Sequence, residues 1–273
     1  IDMITVPMLE DGPDMNLVER LCKDDESVKG IWCVPKYSNP TGVTFSDKVV
    51  ERLANLKPAA KDFRVFWDNA YCVHSLYDED VKLKNIMDVA KKAGNQDMIY
   101  EFCSTAKITF AGSGVAAFAA SQNNVEDVMK RMFFKKINPN KVNQVMHVEF
   151  LQDVDNIKAI MKQHADILRP KFELFDVKMT EAFNDVDNVT WSKPLGGYFI
   201  SLDVPHCAKR VVQLAKDAGV KFTAAGSTFP YGIDDNDSNI RIAPSVPSLD
   251  EMQFAIDVLI ESIRIALCEY YAK

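Results

Sequence analysis

Four polar residues stand out by their position more than by their type. Asn39 lies in Asn39-Pro-Thr-Gly42, Asp68 in Phe66-Trp-Asp-Asn-Ala-Tyr71, Lys107 in Phe102-Cys-Ser-Thr-Ala-Lys-Ile-Thr-Phe110, and Arg241 in Asn239-Ile-Arg-Ile-Ala-Pro-Ser245. Small and apolar neighbours flank Lys107. An amine forced into such surroundings is desolvated, which leaves the neutral form that Schiff-base chemistry requires. Asp68 follows a run that reads as buried, so its carboxylate suits a cationic nitrogen as partner. Tyr71, three residues on, brings a hydroxyl to the same neighbourhood. Arg241 sits among apolar residues in a strand-like stretch. A guanidinium there needs an internal salt bridge or acts as a two-pronged clamp on a substrate carboxylate. Taken singly, each residue has a plainer reading: a solvated lysine, a helix cap, a packing tyrosine, a turn.

The elements around them make the set more than a list. Ile31–Val34, Phe63–Trp67 and Met98–Cys103 are short apolar runs, read as strands buried on both faces. Asn39, Asp68 and Lys107 each follow the carboxyl end of one run, and ligands of open α/β sheets bind outside that edge. Helices are expected over Met15–Cys22, after a Ser46 cap with Val49, Val50, Leu53 and Leu56 inward, and over Val81–Ala93, closed by Gly94. Ile4–Met8 and Gly112–Ala120 read as further strands, the latter buried. This alternation implies an α/β region with a largely parallel sheet.

The pattern changes after Asn138-Pro-Asn140. One long helical stretch is expected over Val142–Phe183, bent near Pro170. Strand pieces follow at Val189–Ser192, Gly197–Leu202, Lys221–Thr223 and Asn239–Ala243. Helices over His206–Ala218 and Ser248–Tyr271 flank them, and Ser248-Leu-Asp-Glu251 has the form of a capping box. We therefore expect two parts: residues 1–140, and residues 141–273 forming a connecting helix and a smaller α+β domain.

Bulk properties narrow the function. The chain has 273 residues, net charge -7 and 47% hydrophobic residues, which is ordinary globular composition without the basic field a nucleic-acid partner needs. No stretch approaches a membrane span. The six cysteines form no C-x-x-C pair and read as buried thiols in a reducing, cytoplasmic setting. The four histidines show no ligand spacing, so no metal is expected.

Asn39-Pro-Thr-Gly42, Asp68-Asn-Ala-Tyr71, Ser104-Thr-Ala-Lys107 and Arg241, in that order, resemble the class I aminotransferases of pyridoxal phosphate (PLP) fold-type I. Gly196-Gly-Tyr-Phe199 and Gly226-Ser-Thr-Phe229 resemble segments of that family's small domain, and the flavour is similar to a bacterial aspartate aminotransferase subgroup, Ic. The resemblance implies a large PLP-binding domain with a mostly parallel sheet, incomplete at its N-terminus, plus the smaller C-terminal domain. It implies that Lys107 is the Schiff-base lysine and proton shuttle, and that Asp68 pairs with the pyridine nitrogen. Tyr71 and Asn39 would bond the cofactor's phenolic oxygen, Ser104 its phosphate, and Arg241, with Asn39 beside it, the substrate α-carboxylate. Relatives often carry a phosphate-binding arginine seven or eight residues after the lysine. Gly114 and Val115 stand there, so Ser104 and backbone N–H groups are expected to hold the phosphate. The implied reaction moves an amino group between an L-amino acid, aspartate foremost, and a 2-oxo acid such as 2-oxoglutarate, in a homodimer. A PLP-binding module of a transcription regulator and a PLP lyase on the same fold stay open as alternatives.

Overall fold

A computed structural model describes residues 1–272. The first seven residues form no regular element, so the strand expected over Ile4–Met8 is absent. A small hairpin, β1 (Met8–Leu9) with β2 (Gly12–Pro13), leads into α1 (Met15–Lys23), whose first amides are capped by the Asp14 carboxylate. Strand β3 (Gly30–Cys33) then opens the main sheet. Helix α2 (Asp47–Ala54) follows, with the Ser46 hydroxyl accepting from Val49 N as expected. Next come β4 (Arg64–Asp68), α3 (Ile86–Lys92) and β5 (Ile99–Ser104). Helix α3 starts five residues later than expected because the Asn85 side chain caps it, accepting from Met87 N and Asp88 N. It ends at Gly94, which takes a left-handed φ of +74°.

Strands β3, β4 and β5 run parallel, and β6 (Ala116–Ala120) adds to β5 antiparallel at the edge. β6 was expected to be buried; most of it is exposed. The cause is the cover of the sheet. Val65, Trp67, Ile99 and Cys33 point to one face and pack with α2 and α3 residues such as Val50, Leu53, Ile86 and Ala90. The register places Trp32, Phe66, Tyr100, Phe102 and Phe118 on the opposite face, where they stack on one another. Trp32 there is 65% exposed.

Helix α4 (Gln122–Met132) was not anticipated, although Ser121 caps it by accepting from Asn124 N. The expected single long helix is two: α5 (Lys141–Leu151) and α6 (Val154–Phe183). The break falls at Gln152, which has φ +57°, and Asp153 recaps the chain by accepting from Asn156 N. Pro170 lies inside α6 and does not end it.

The second sheet orders β7 (Thr190–Trp191), β8 (Ile200–Asp203) and β9 (Asn239–Ile242), all antiparallel. Helices α7 (Ala208–Asp217) and α8 (Leu249–Tyr271) pack on it with α6. The capping box at Ser248 and Glu251 forms as expected. Lys221–Thr223, expected as a strand, joins no sheet. Leu76 belongs to this second core, although it is far earlier in the chain. Its amide donates to Leu195 O, and its carbonyl accepts from Arg169 Nη1.

No disulfide links any described cysteines; Cys103 and Cys268 are exposed where burial was expected. Among the described residues, no His/Cys/Asp/Glu cluster has metal-site geometry. No described helix is long and apolar enough to cross a membrane.

Candidate active site at the carboxyl edge of the parallel sheet

The strand register sets the site. Asp68 closes β4 opposite Phe102, and Ser104 closes β5 two residues further on. Both lie on the aromatic face. The loop bearing Asn39 leaves β3 at the same edge, and Lys107 sits in the turn after β5. Asp68, Ser104 and Lys107 together line a cavity of about 200 Å³, with Ala70, Phe102, Cys103, Ala116 and Ala117. That is smaller than the roughly 300–1,000 Å³ of pockets for drug-sized ligands.

The Lys107 turn is held locally. Thr105 N donates to Val115 O, and Val115 N donates to Thr105 Oγ1, both at 2.9 Å. Ile108 N and Thr109 N both donate to Thr105 O. Ala106 N donates to Ser104 Oγ at 2.9 Å, which leaves the Ser104 hydroxyl proton available for a ligand. A Cβ on Gly114 would lie 2.8 Å from Ala106 Cβ and 2.9 Å from Ala106 N. The turn therefore has no room for an arginine at position 114.

Lys107 itself is exposed. The desolvated amine expected from its neighbours is not what the fold builds, because those neighbours bend round the turn and Gly112–Gly114 stay at the surface. Its Nζ instead lies 4.9 Å from the centre of the Tyr71 ring. The Asp68 carboxylate makes no hydrogen bond or ion pair within the described residues. Tyr71 is 4% exposed. Burial, then the negative charge of Asp68, push its phenol up from the usual range, with Arg241 opposing. Tyr71 is thus a neutral hydroxyl beside both groups.

Arg241, from β9, reaches the same edge from the other sheet. Its guanidinium lies 4.5 Å from the centre of the Phe199 ring, and Nη1 donates to Asn39 Oδ1 at 3.5 Å, the outer limit of a hydrogen bond. Its Nε is buried without a partner. The internal salt bridge that a buried arginine would require is absent among the described residues, so this guanidinium keeps donors in reserve. Asn39, Tyr71, Asp68, Ser104, Lys107 and Arg241 are all brought to one edge.

Four further groups at this edge were not singled out from the sequence as site residues. Asn69 Nδ2 donates to Glu101 Oε1 at 3.3 Å, while Asn69 Oδ1 is buried without a donor. Burial raises the Glu101 carboxyl, with Asn69 opposing. His74 and Tyr198 pack edge-on against Tyr71, with ring centres at 5.6 and 6.0 Å. Asn69 falls inside the Asp68–Tyr71 motif and was within reach of the same reasoning. Tyr198 falls inside the Gly196–Phe199 segment singled out from the sequence, though with no role attached, while His74 and Glu101 carry no local signal, since only the folded topology brings them near.

Known proteins resemble this chain along its length. A family model described as aspartate amino-transferase matches residues 1–273. A Mycolicibacterium smegmatis relative is 47% identical over 98% of this chain and 63% of its own length. The aspartate aminotransferase of Corynebacterium glutamicum is 44% identical over 100% of this chain and 63% of its own length. The crystal structure of an aspartate transaminase from the same organism superposes with a TM-score of 0.97, covering 99% of this chain and 64% of that one. An α-aminoadipate aminotransferase of Thermus thermophilus, complexed with N-(5'-phosphopyridoxyl)-L-leucine, shares the fold at 19% identity with a TM-score of 0.80. The chain thus spans just under two thirds of the length of these relatives.

Proposed function

The chain belongs to the aspartate aminotransferase family, and from that premise we propose that it acts as a PLP-dependent aminotransferase. The proposed reaction moves the amino group of L-aspartate to a 2-oxo acid, with 2-oxoglutarate as acceptor. The observation that carries this reading is one cavity lined by a carboxylate and a lysine amine with no ion-pair partner among the described residues and by a hydroxyl with a proton to donate. That donor set suits PLP: a carboxylate for a ring nitrogen, a hydroxyl for a phosphate, an amine for covalent attachment. The absence of a side chain at Gly114 leaves the phosphate to Ser104 and backbone N–H groups.

When bound, PLP supplies an electron sink for the negative charge that develops at the substrate α-carbon. The chain's own residues do the rest. Lys107 is the attachment residue, and its freed amine takes and returns the α-proton. Asp68 would keep the ring nitrogen protonated by placing a negative charge beside it. Tyr71 and Asn39 are the donors for the phenolic oxygen. Arg241 binds the α-carboxylate with the donors it does not use within the chain, and the Phe199 ring fixes the plane of its guanidinium.

We take residues 1–140 as part of a cofactor-binding domain and residues 141–273 as a connecting helix and smaller domain; the separate apolar cores support this division. A cytoplasmic homodimer is part of the same reading, supported by the family and by cysteines that form no disulfide. Lys107→Ala should abolish both transamination and the borohydride-trappable cofactor adduct. Retention of either would refute the assignment of Lys107.

A further inference from the structure

Three segments that are distant in sequence meet at the main-chain carbonyl of Lys107. Tyr198 Oη donates to it at 2.9 Å, and His74 Nε2 lies 3.3 Å from it. A carbonyl only accepts, so His74 carries a proton on Nε2 and donates it here. The two rings stack edge-on at 5.4 Å, and both flank Tyr71, on whose face the Lys107 amine rests. The segments carrying them are themselves stitched together. Gly197 N donates to His74 O at 2.9 Å, Leu76 N donates to Leu195 O, and Ser75 bridges to Gly196. The approach is too close for side chains: a Cβ on Gly196 would lie 2.5 Å from His74 O and 2.3 Å from the Tyr37 ring.

The next residue after Tyr198 is Phe199, which packs on the Arg241 guanidinium at 4.5 Å. One short stretch, Gly196–Phe199, thus touches the proposed carboxylate clamp at one end and the turn of the proposed reactive lysine at the other.

We propose that His74 and Tyr198 are positioning residues: by donating together to the Lys107 carbonyl they fix the lysine turn to the Gly196–Phe199 segment, and so set the spacing between the Lys107 amine and Arg241. Neither side chain touches the reacting atoms. They act through the lysine backbone, and the role rests on the aminotransferase reading of Lys107. Losing one donor loosens the turn without removing any group that binds substrate.

The test uses Tyr198→Phe, His74→Leu and His74→Gln in the protein that carries this chain. Gln keeps an N–H donor near the place of Nε2. Tyr198→Phe and His74→Leu should each lower kcat roughly three- to tenfold, the span expected for one lost neutral hydrogen bond. KM for aspartate should stay within roughly twofold, because the Arg241 donors are untouched. In the cofactor-free protein, amide exchange across residues 105–109 should accelerate in both variants. His74→Gln should restore kcat and slow the exchange again. Unchanged kcat and exchange in Tyr198→Phe would overturn the proposal, as would a loss confined to KM or a His74→Gln no better than His74→Leu. If His74→Leu fails to fold, Tyr198→Phe decides alone. Activity in Lys107→Ala would instead overturn the functional reading, while the exchange measurement, made without cofactor, still judges the clamp.

Discussion

The two sheets of this chain are clad very differently. In the second sheet, β8 and β9 are buried almost throughout, with Leu202 and Ile240 at 0% exposure beneath α6, α7 and α8. In the first, α2 and α3 cover one face, and the other presents a stack of Trp32, Phe66, Tyr100, Phe102 and Phe118. Asp68 and Ser104 lie at the end of that open face. A parallel sheet is ordinarily covered on both sides. The two regions bury apolar cores of similar size, but the first leaves one sheet face open, and most of the candidate site, all but Arg241, lies at the end of that face.

Three measurements can sharpen or break that contrast. The largest effect is expected in the second core. Phe175→Ala, at a side chain with 0% exposure, should cost about 3–5 kcal/mol in urea unfolding. The matching change on the open face, Phe66→Ala, should cost about 1 kcal/mol or less beyond its lost aromatic pairing. Equal costs would remove the contrast.

The second effect lies at the seam. Burial pushes the His74 imidazole down from 6.5 to about 4, with the Lys107 carbonyl partly opposing. The folded state therefore binds its proton less readily than the unfolded state. The resulting stability is fully present above pH 6.5 and is lost as pH falls toward 4. Its size is on the order of 3 kcal/mol. His74→Gln removes this titration, so its unfolding midpoint should fall less than the wild type's between pH 7 and pH 4.5. Parallel acid limbs would show that His74 is not held neutral.

The smallest effect concerns Trp32. Trp32→Ser should change unfolding by less than about 1 kcal/mol, because the ring is largely in water already. It should nevertheless weaken binding of an apolar dye to this face. A large loss of stability would show that the face is better packed than its exposure implies.

Much of this was legible in the residues. The runs ending at Val34, Trp67 and Cys103 became the three parallel strands within a residue or two, and their carboxyl ends gathered Asn39, Asp68, Ser104 and Lys107. The Ser46 and Ser248 caps formed because cap chemistry is local. What failed was non-local. Burial of Gly112–Ala120 and of the Lys107 amine was inferred from apolar composition, but composition does not say whether anything covers a strand. The break between α5 and α6 was hidden because Gln152 is no conventional breaker, whereas Pro170, which is, sits inside α6 without ending it. His74 was invisible, and Tyr198 stood out only as part of Gly196–Phe199, because the role of both comes from a shared carbonyl that neither approaches along the chain.

Leu76 bears on how this polypeptide can be dissected. It belongs by sequence with the residues that follow β4, yet its side chain fills the core beneath α6 and α8. A scission near residue 140 would not yield two autonomous pieces. The C-terminal piece would hold a leucine-sized void, and the N-terminal piece would present that leucine to water. Mixing the two separately expressed pieces should therefore favour complementation over independent folding, with Leu76 as the plug that rejoins them.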